Sequence, residues 1–215
     1  MQRRPPCAPN FNTRGLNKSS RLFIETDMEP EYNPRRGDLL IASPFLDDIP
    51  FGHSVVLLLD TDIRGGVMGL SLNIPTAVTL GELLPDLGVK QNIEIYSGGP
   101  CERDRLFLLH TLGESVEGAM EIMPGLYVGG KIEDVARYLN DGGDASVMRF
   151  FLGYSGWHPG QLGNELKEKA WALSHIKKGE KLFDGQGTEY WRTKIGRLGE
   201  DYRPWLILPT VEELN

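Results

Sequence analysis

FLGYSGWHPGQL, residues 151–162, sets a Tyr, a Trp and a His among three glycines. It closes SVMRFFLGYSGW (146–157), whose apolar and aromatic content reads as a long strand. It opens GQLGNELKEKAWAL (160–173), which reads as a helix with Leu162, Leu166, Ala170 and Leu173 on one face. Two readings compete for the stretch. As a binding or catalytic turn, its small residues let a ligand approach. As a strand-to-helix corner, its glycines supply backbone freedom and Trp157 plugs the bend. Tyr154 and Trp157 lie at odd spacing, so at least one leaves the regular strand alternation. The corner reading predicts a buried Trp157.

Outward from the corner, strands dominate. Residues 38–43, HSVVLLLD (53–60) and VMGLSLN (67–73) read as strands, the last two forming a hairpin across TDIRGG. TLGELLPDLG (79–88) is a short helix capped by Thr79 and stopped by Pro85 and Gly88. IEIYSGG (93–99), LFLLHT (106–111) and LYVGG (126–130) read as strands. IEDVARYLN (132–140) is a helix ended by DGG, EYWRTKIGRLG (189–199) a weaker one, and WLILP (205–209) a final strand. Strands in runs, not in alternation with helices, indicate an α+β fold with a mixed or mostly antiparallel sheet. Residues 1–36, rich in Arg, Pro, Asn and Ser without periodicity, are expected to be a disordered N-terminal tail, with one domain over 37–215. Met28 is an alternative translation start.

The charge pattern excludes some functions. The chain carries −7, divided between a +3 tail and a −10 body. An acidic body repels phosphate backbones, and no helix-turn-helix pattern is present, which argues against direct sequence-specific DNA binding. No apolar run approaches the roughly 18 residues of a membrane span. MQRRPPCAP lacks the apolar core of a secretory signal. Cys7 and Cys101 make no disulfide framework, which fits a reducing, cytoplasmic compartment. His53, His110, His158 and His175 show neither HxxxH nor HxH spacing, so neither a metal site nor a cofactor is expected.

Chemistry has one candidate location. Gly98-Gly99-Pro100 is either a structural turn or an anion nest, without the Lys and helix start of a phosphate loop. Cys101 would need a base to become a nucleophile, and His110 ends the next strand; a small buried residue is the competing reading. Glu165 lies one helical turn after Gln161, so both can face one mouth with Trp157 and His158. The candidate ligand site is a cleft between the GGP turn and the GWHPGQ corner. The favoured reading is structural, with Glu165 a solvated helix residue and His110 a hydrogen-bonded strand end.

GDLLIASPFLDDIPFGHSVV, GVMGLSLNIP, YSGGPCERDRLFLLHT, LYVGG and FLGYSGWHPGQLGNELKEKAWAL, in this order, resemble the YqgE/AlgH family of bacterial proteins over about residues 37–185, with the spacing of Bacteroidetes-type members. The resemblance implies an α+β fold whose bifurcated β-sheet closes into a pseudo-barrel flanked by helices. It implies no chemistry. Members are uncharacterised, some are called transcriptional regulators, and no catalytic residues carry over. His53 stands where many members have Arg, and Ile74 near a Lys or Arg position, which weakens any anion site built on those cations. The expected function is that of a cytoplasmic, non-enzymatic protein, regulatory through an unknown partner. The alternative is a protein binding a small anionic ligand, or a hydrolase or transferase, at the cleft.

Overall fold

The computed structural model describes residues 33–46, 51–62, 66–177 and 179–207. The strands are β1 (Asp38–Ala42), β2 (Val55–Asp62), β3 (Gly66–Ser71), β4 (Pro75–Thr79), β5 (Glu94–Ser97), β6 (Cys101–His110), β7 (Ala119–Met123), β8 (Leu126–Gly129), β9 (Met148–Trp157) and β10 (Trp171–His175). The helices are α1 (Leu80–Leu83), α2 (Ile132–Asn140), α3 (Gln161–Lys167), α4 (Gly187–Ile195) and α5 (Arg203–Ile207). The strands form one sheet in the order β10-β1-β2-β3-β9-β6-β8-β7, with β5 added to β9 and β4 to β5. The sheet curls into a half-barrel flanked by helices.

β9 is where the sheet forks. Its last residues, Ser155–Trp157, pair with β3, and Phe150–Leu152 pair in parallel with β5. β6 runs antiparallel to β9 from Met148 to Tyr154. Gly153 sits at the branch with φ 72°, where a Cβ would meet the carbonyl oxygens of Gly99 and Cys101 at 2.6 and 2.7 Å. Gly98 fills the crotch. Its N–H donates to Leu152 O, while its carbonyl accepts from Ser71 N–H and Ser155 Oγ. A Cβ on Gly98 would meet Gly153 O at 2.2 Å, so glycine is required at both positions by close backbone approach. β6 bulges out opposite the branch: the pairs Cys101–Tyr154 and Leu106–Leu152 flank four residues of β6 against Gly153 alone.

Both sheet faces are covered. Along β1, Leu39 and Ile41 enter one core and Leu40 and Ala42 another, as period-2 alternation requires. The first core lies under α4 and holds Leu57, Phe151 and Trp191. The second lies under α3 and holds Val56, Leu58 and Trp157. A third joins Leu108 and Phe150 to Val135 and Leu139 of α2.

Several sequence expectations change. The helix expected over 160–173 ends at Lys167; Lys169 takes φ 57° and the chain reverses into β10, which pairs with β1. The apolar run 170–173 suits either element, and the open edge of β1 selects strand. β4 and β7 are further strands beyond those expected from the sequence. The expected strand at 205–209 is helical as far as it is described: residues 203–207 form α5, and 208–209 lie outside the described residues. Pro204 is tolerated in a first helical turn, where its missing N–H would have no partner, and Trp205 and Leu206 pack onto the first core. Of the expected tail, residues 1–32 lie outside the described residues, while Arg36 Nε donates to Leu59 O at 2.8 Å. Among the described residues no helix is long and apolar enough to cross a membrane.

Candidate functional site

At the corner, Gly160 adopts φ 81° and launches α3 back over the end of β9. This places Glu165, 4% exposed, against the indole of Trp157, 1% exposed. Trp157 Nε1 and Trp171 Nε1 both donate to Glu165 Oε2 at 2.8 Å, and Gln161 Nε2 donates to Oε1 at 2.9 Å. Gln161 Oε1 in turn accepts the His158 N–H at 3.1 Å. The two indoles meet edge to face at 6.0 Å. Three N–H donors offset the cost of burying this carboxylate, so the cluster fastens a helix to a sheet. Trp157, Gln161 and Glu165 are thus brought together, with Trp171 added from a strand that the sequence reading had placed in a helix. The His158 residue itself is exposed.

The remaining candidates lie elsewhere. Gly98, Gly99 and Pro100 form the crotch of the fork; a Cβ on Gly99 would fall 2.3 Å from the backbone of Tyr154. Cys101 is a buried cysteine that pairs through its backbone with Tyr154. His110 pairs with Met148, at the opposite end of β9 from Trp157. Nine residues of strand put them roughly 30 Å apart at about 3.3 Å per residue. His110 Nδ1 accepts the Leu112 N–H at 3.2 Å, which leaves Nε2 protonated to donate to Gly129 O at 3.2 Å. Burial pushes its pKa down, against the Gly129 hydrogen bond, and the ring stacks on Tyr127 as a neutral imidazole. Among the described residues no group of three His, Cys, Asp or Glu side chains is placed to hold a metal.

A half-open groove of about 830 Å³ lies in a different place, between the turn of the β7–β8 hairpin and the loop joining β10 to α4. Met123, Leu126, Val147, Ile176, Leu182 and Phe183 give it mainly apolar walls, and Lys177 and Lys181 also line it. The loop is tethered from behind. Glu180 is buried against Lys194 of α4 and accepts from Arg197 at 3.1 Å. Burial opposes the Glu180 charge, but hydrogen bonds from Lys194 and the Lys177 N–H hold its carboxyl below the ordinary range. Further along, Arg149 of β9, 6% exposed, donates to Leu72 O and Phe183 O at 2.6 Å and to Gly185 O at 3.2 Å. Its guanidinium lies 4.0 Å above the Tyr96 ring. Sequence reasoning missed this groove. The one local signal was Arg149 itself, a cation inside an otherwise apolar strand.

A family model described as AlgH-like (DUF179) matches residues 39–203. A "UPF0301 protein" of Bacteroides thetaiotaomicron is 39% identical over 183 residues, covering 85% of this chain and 92% of that protein. A second, from Chlorobaculum tepidum, is 34% identical and covers 77% and 88% respectively. The solution structure of the AlgH protein from Pseudomonas aeruginosa, 31% identical, superposes with a TM-score of 0.61 over 81% of this chain and 94% of that one. The crystal structure of protein DIP2367 from Corynebacterium diphtheriae shares the fold, with a TM-score of 0.68 at 19% identity over 83% and 94% of the two chains.

Proposed function

The chain belongs to the AlgH-like family, and from that premise we propose that it is a non-enzymatic cytoplasmic protein that acts by binding, with a regulatory role exerted through what occupies its groove. One observation carries this reading. Three of the four reactive side chains that the sequence offers are committed to structure, Glu165 to three donors, His110 to two backbone groups and Cys101 to a buried strand position, and the fourth, His158, stands exposed. The groove, by contrast, presents apolar walls and charged rim groups within the size range of small-molecule sites. The test is a thermal-shift screen of the full chain against nucleotides, phosphosugars and small carboxylates. A ligand at 100 times its dissociation constant adds about 2.7 kcal/mol of stability. Thr111→Trp, which fills the groove from an exposed position, is expected to abolish the shift, and Cys101→Ser to leave it intact. A shift that survives Thr111→Trp, or turnover that vanishes in Cys101→Ser, would return the site to the glycine turn and sink the binding reading.

A further inference from the structure

We infer that the groove's ligand is a single-chain amphiphile with an anionic head, a carboxylate or phosphate monoester on an alkyl or acyl chain; this rests on the binding reading above. Of the two acids that line the groove, Glu180 is turned to cations behind its wall, and Asp184 is exposed. Glu180 is paired with Lys194 and Arg197, and Asp184 acts electrostatically on the buried Arg149. Lys177 and Lys181 are exposed, and among the described residues their ammonium groups meet no carboxylate. Two exposed lysines against one exposed carboxylate leave a net positive rim over an apolar trough, on a chain whose net charge is −7.

These magnitudes decide between a simple anion and an amphiphile. An exposed ammonium–anion pair adds at most about fivefold in affinity, enough to favour a charged head over a neutral one but too little to hold a simple anion that the acidic body repels at long range. Each methylene transferred to an apolar wall contributes about fourfold in affinity. Met123, Leu126, Val147, Ile176, Leu182 and Phe183 supply such walls. A ligand that satisfies the site thus buries a chain in the trough and leaves its head in water at the lysines, where both groups stay hydrated.

Titration calorimetry of the full chain with decanoate, decyl phosphate, decanol, acetate and inorganic phosphate tests this. Decanoate and decyl phosphate are expected to bind saturably, octanoate at least fivefold more weakly than decanoate, and acetate and phosphate not at all. Lys177→Glu combined with Lys181→Glu should weaken decanoate at least tenfold and leave decanol unchanged. Decanol binding as tightly as decanoate, acetate rivalling decanoate, or indifference to the double substitution would each overturn the inference. The two levels separate cleanly. A different compound whose binding is lost in Thr111→Trp, with no amphiphile bound, removes the amphiphile and keeps the groove. Binding of the tested compounds unaffected by Thr111→Trp removes both.

Discussion

The two ends of β9 solve the same problem in opposite ways. At one end Arg149 is a buried cation; at the other, Trp157 leads to Glu165, a buried anion. Among the described residues neither is held by a direct ion pair. Glu165 is satisfied by N–H donors and Arg149 by carbonyl oxygens. The difference lies in where the partners come from. The donors to Glu165 are four, six and eight residues away in sequence, whereas the acceptors of Arg149 are 34 to 77 residues away. The anionic end is a local clasp that shapes one corner. The cationic end is a long-range rivet that joins β9 to the end of β3 and to the groove wall.

Substitutions can break this contrast. The largest effect is expected for Trp157→Ala, which empties a buried ring site and orphans part of Glu165, at about 3–5 kcal/mol by chemical denaturation. If the variant melts like the parent, Trp157 does not plug the corner. Arg149→Met is expected to cost about 3 kcal/mol, since the buried Leu72 carbonyl and the part-buried Phe183 and Gly185 carbonyls lose a donor and water recovers only part of the loss. It should also accelerate amide exchange in residues 182–186, which Trp157→Ala should leave at the global rate. Arg149→Lys should not rescue, because a single ammonium lacks the planar fork that spans three carbonyls. Glu165→Gln is expected to cost about 1–3 kcal/mol, because an amide NH₂ then faces N–H donors. If it exceeds Arg149→Met, the local clasp outweighs the rivet and the ranking reverses.

The smallest effect is pH-dependent. Burial depresses the pKa of His110 in the folded state, so the unfolded chain binds the extra proton first. The stability due to His110 is complete above about pH 6.5 and is lost as pH falls from there through the lowered folded value. His110→Gln, which keeps a donor and an acceptor, should flatten that part of the stability profile, read from urea midpoints between pH 5 and 7.

The same contrast governs how much of the molecule was legible in its sequence. The corner was readable because its signals are local: glycine spacing, two aromatics at odd separation, and Gln161 and Glu165 four residues apart. The family resemblance supplied the forked sheet. β10 was hidden because residues 170–173 satisfy helical and strand patterning alike, and only the edge of β1 chooses. β4 begins at a proline and buries none of its residues, so it carries little strand signal. The groove draws on residues 111, 123–126, 146–147 and, in one loop, 176, 177 and 179–184. No local pattern can announce a surface assembled from four separate segments.

The fork has a consequence for how the protein is made. β3, β5 and β6 all take β9 as a partner, and β1 takes β10, so four strands depend on the last third of the described sheet. A ribosome adding roughly 5–20 residues per second must emit β1 to β8 before either late strand exists. During those seconds their unpaired backbone edges are open to neighbouring chains. Completion of β9 is then the event that joins the partly paired strands of a tethered chain into one sheet, and chaperone dependence during translation should concentrate before that point.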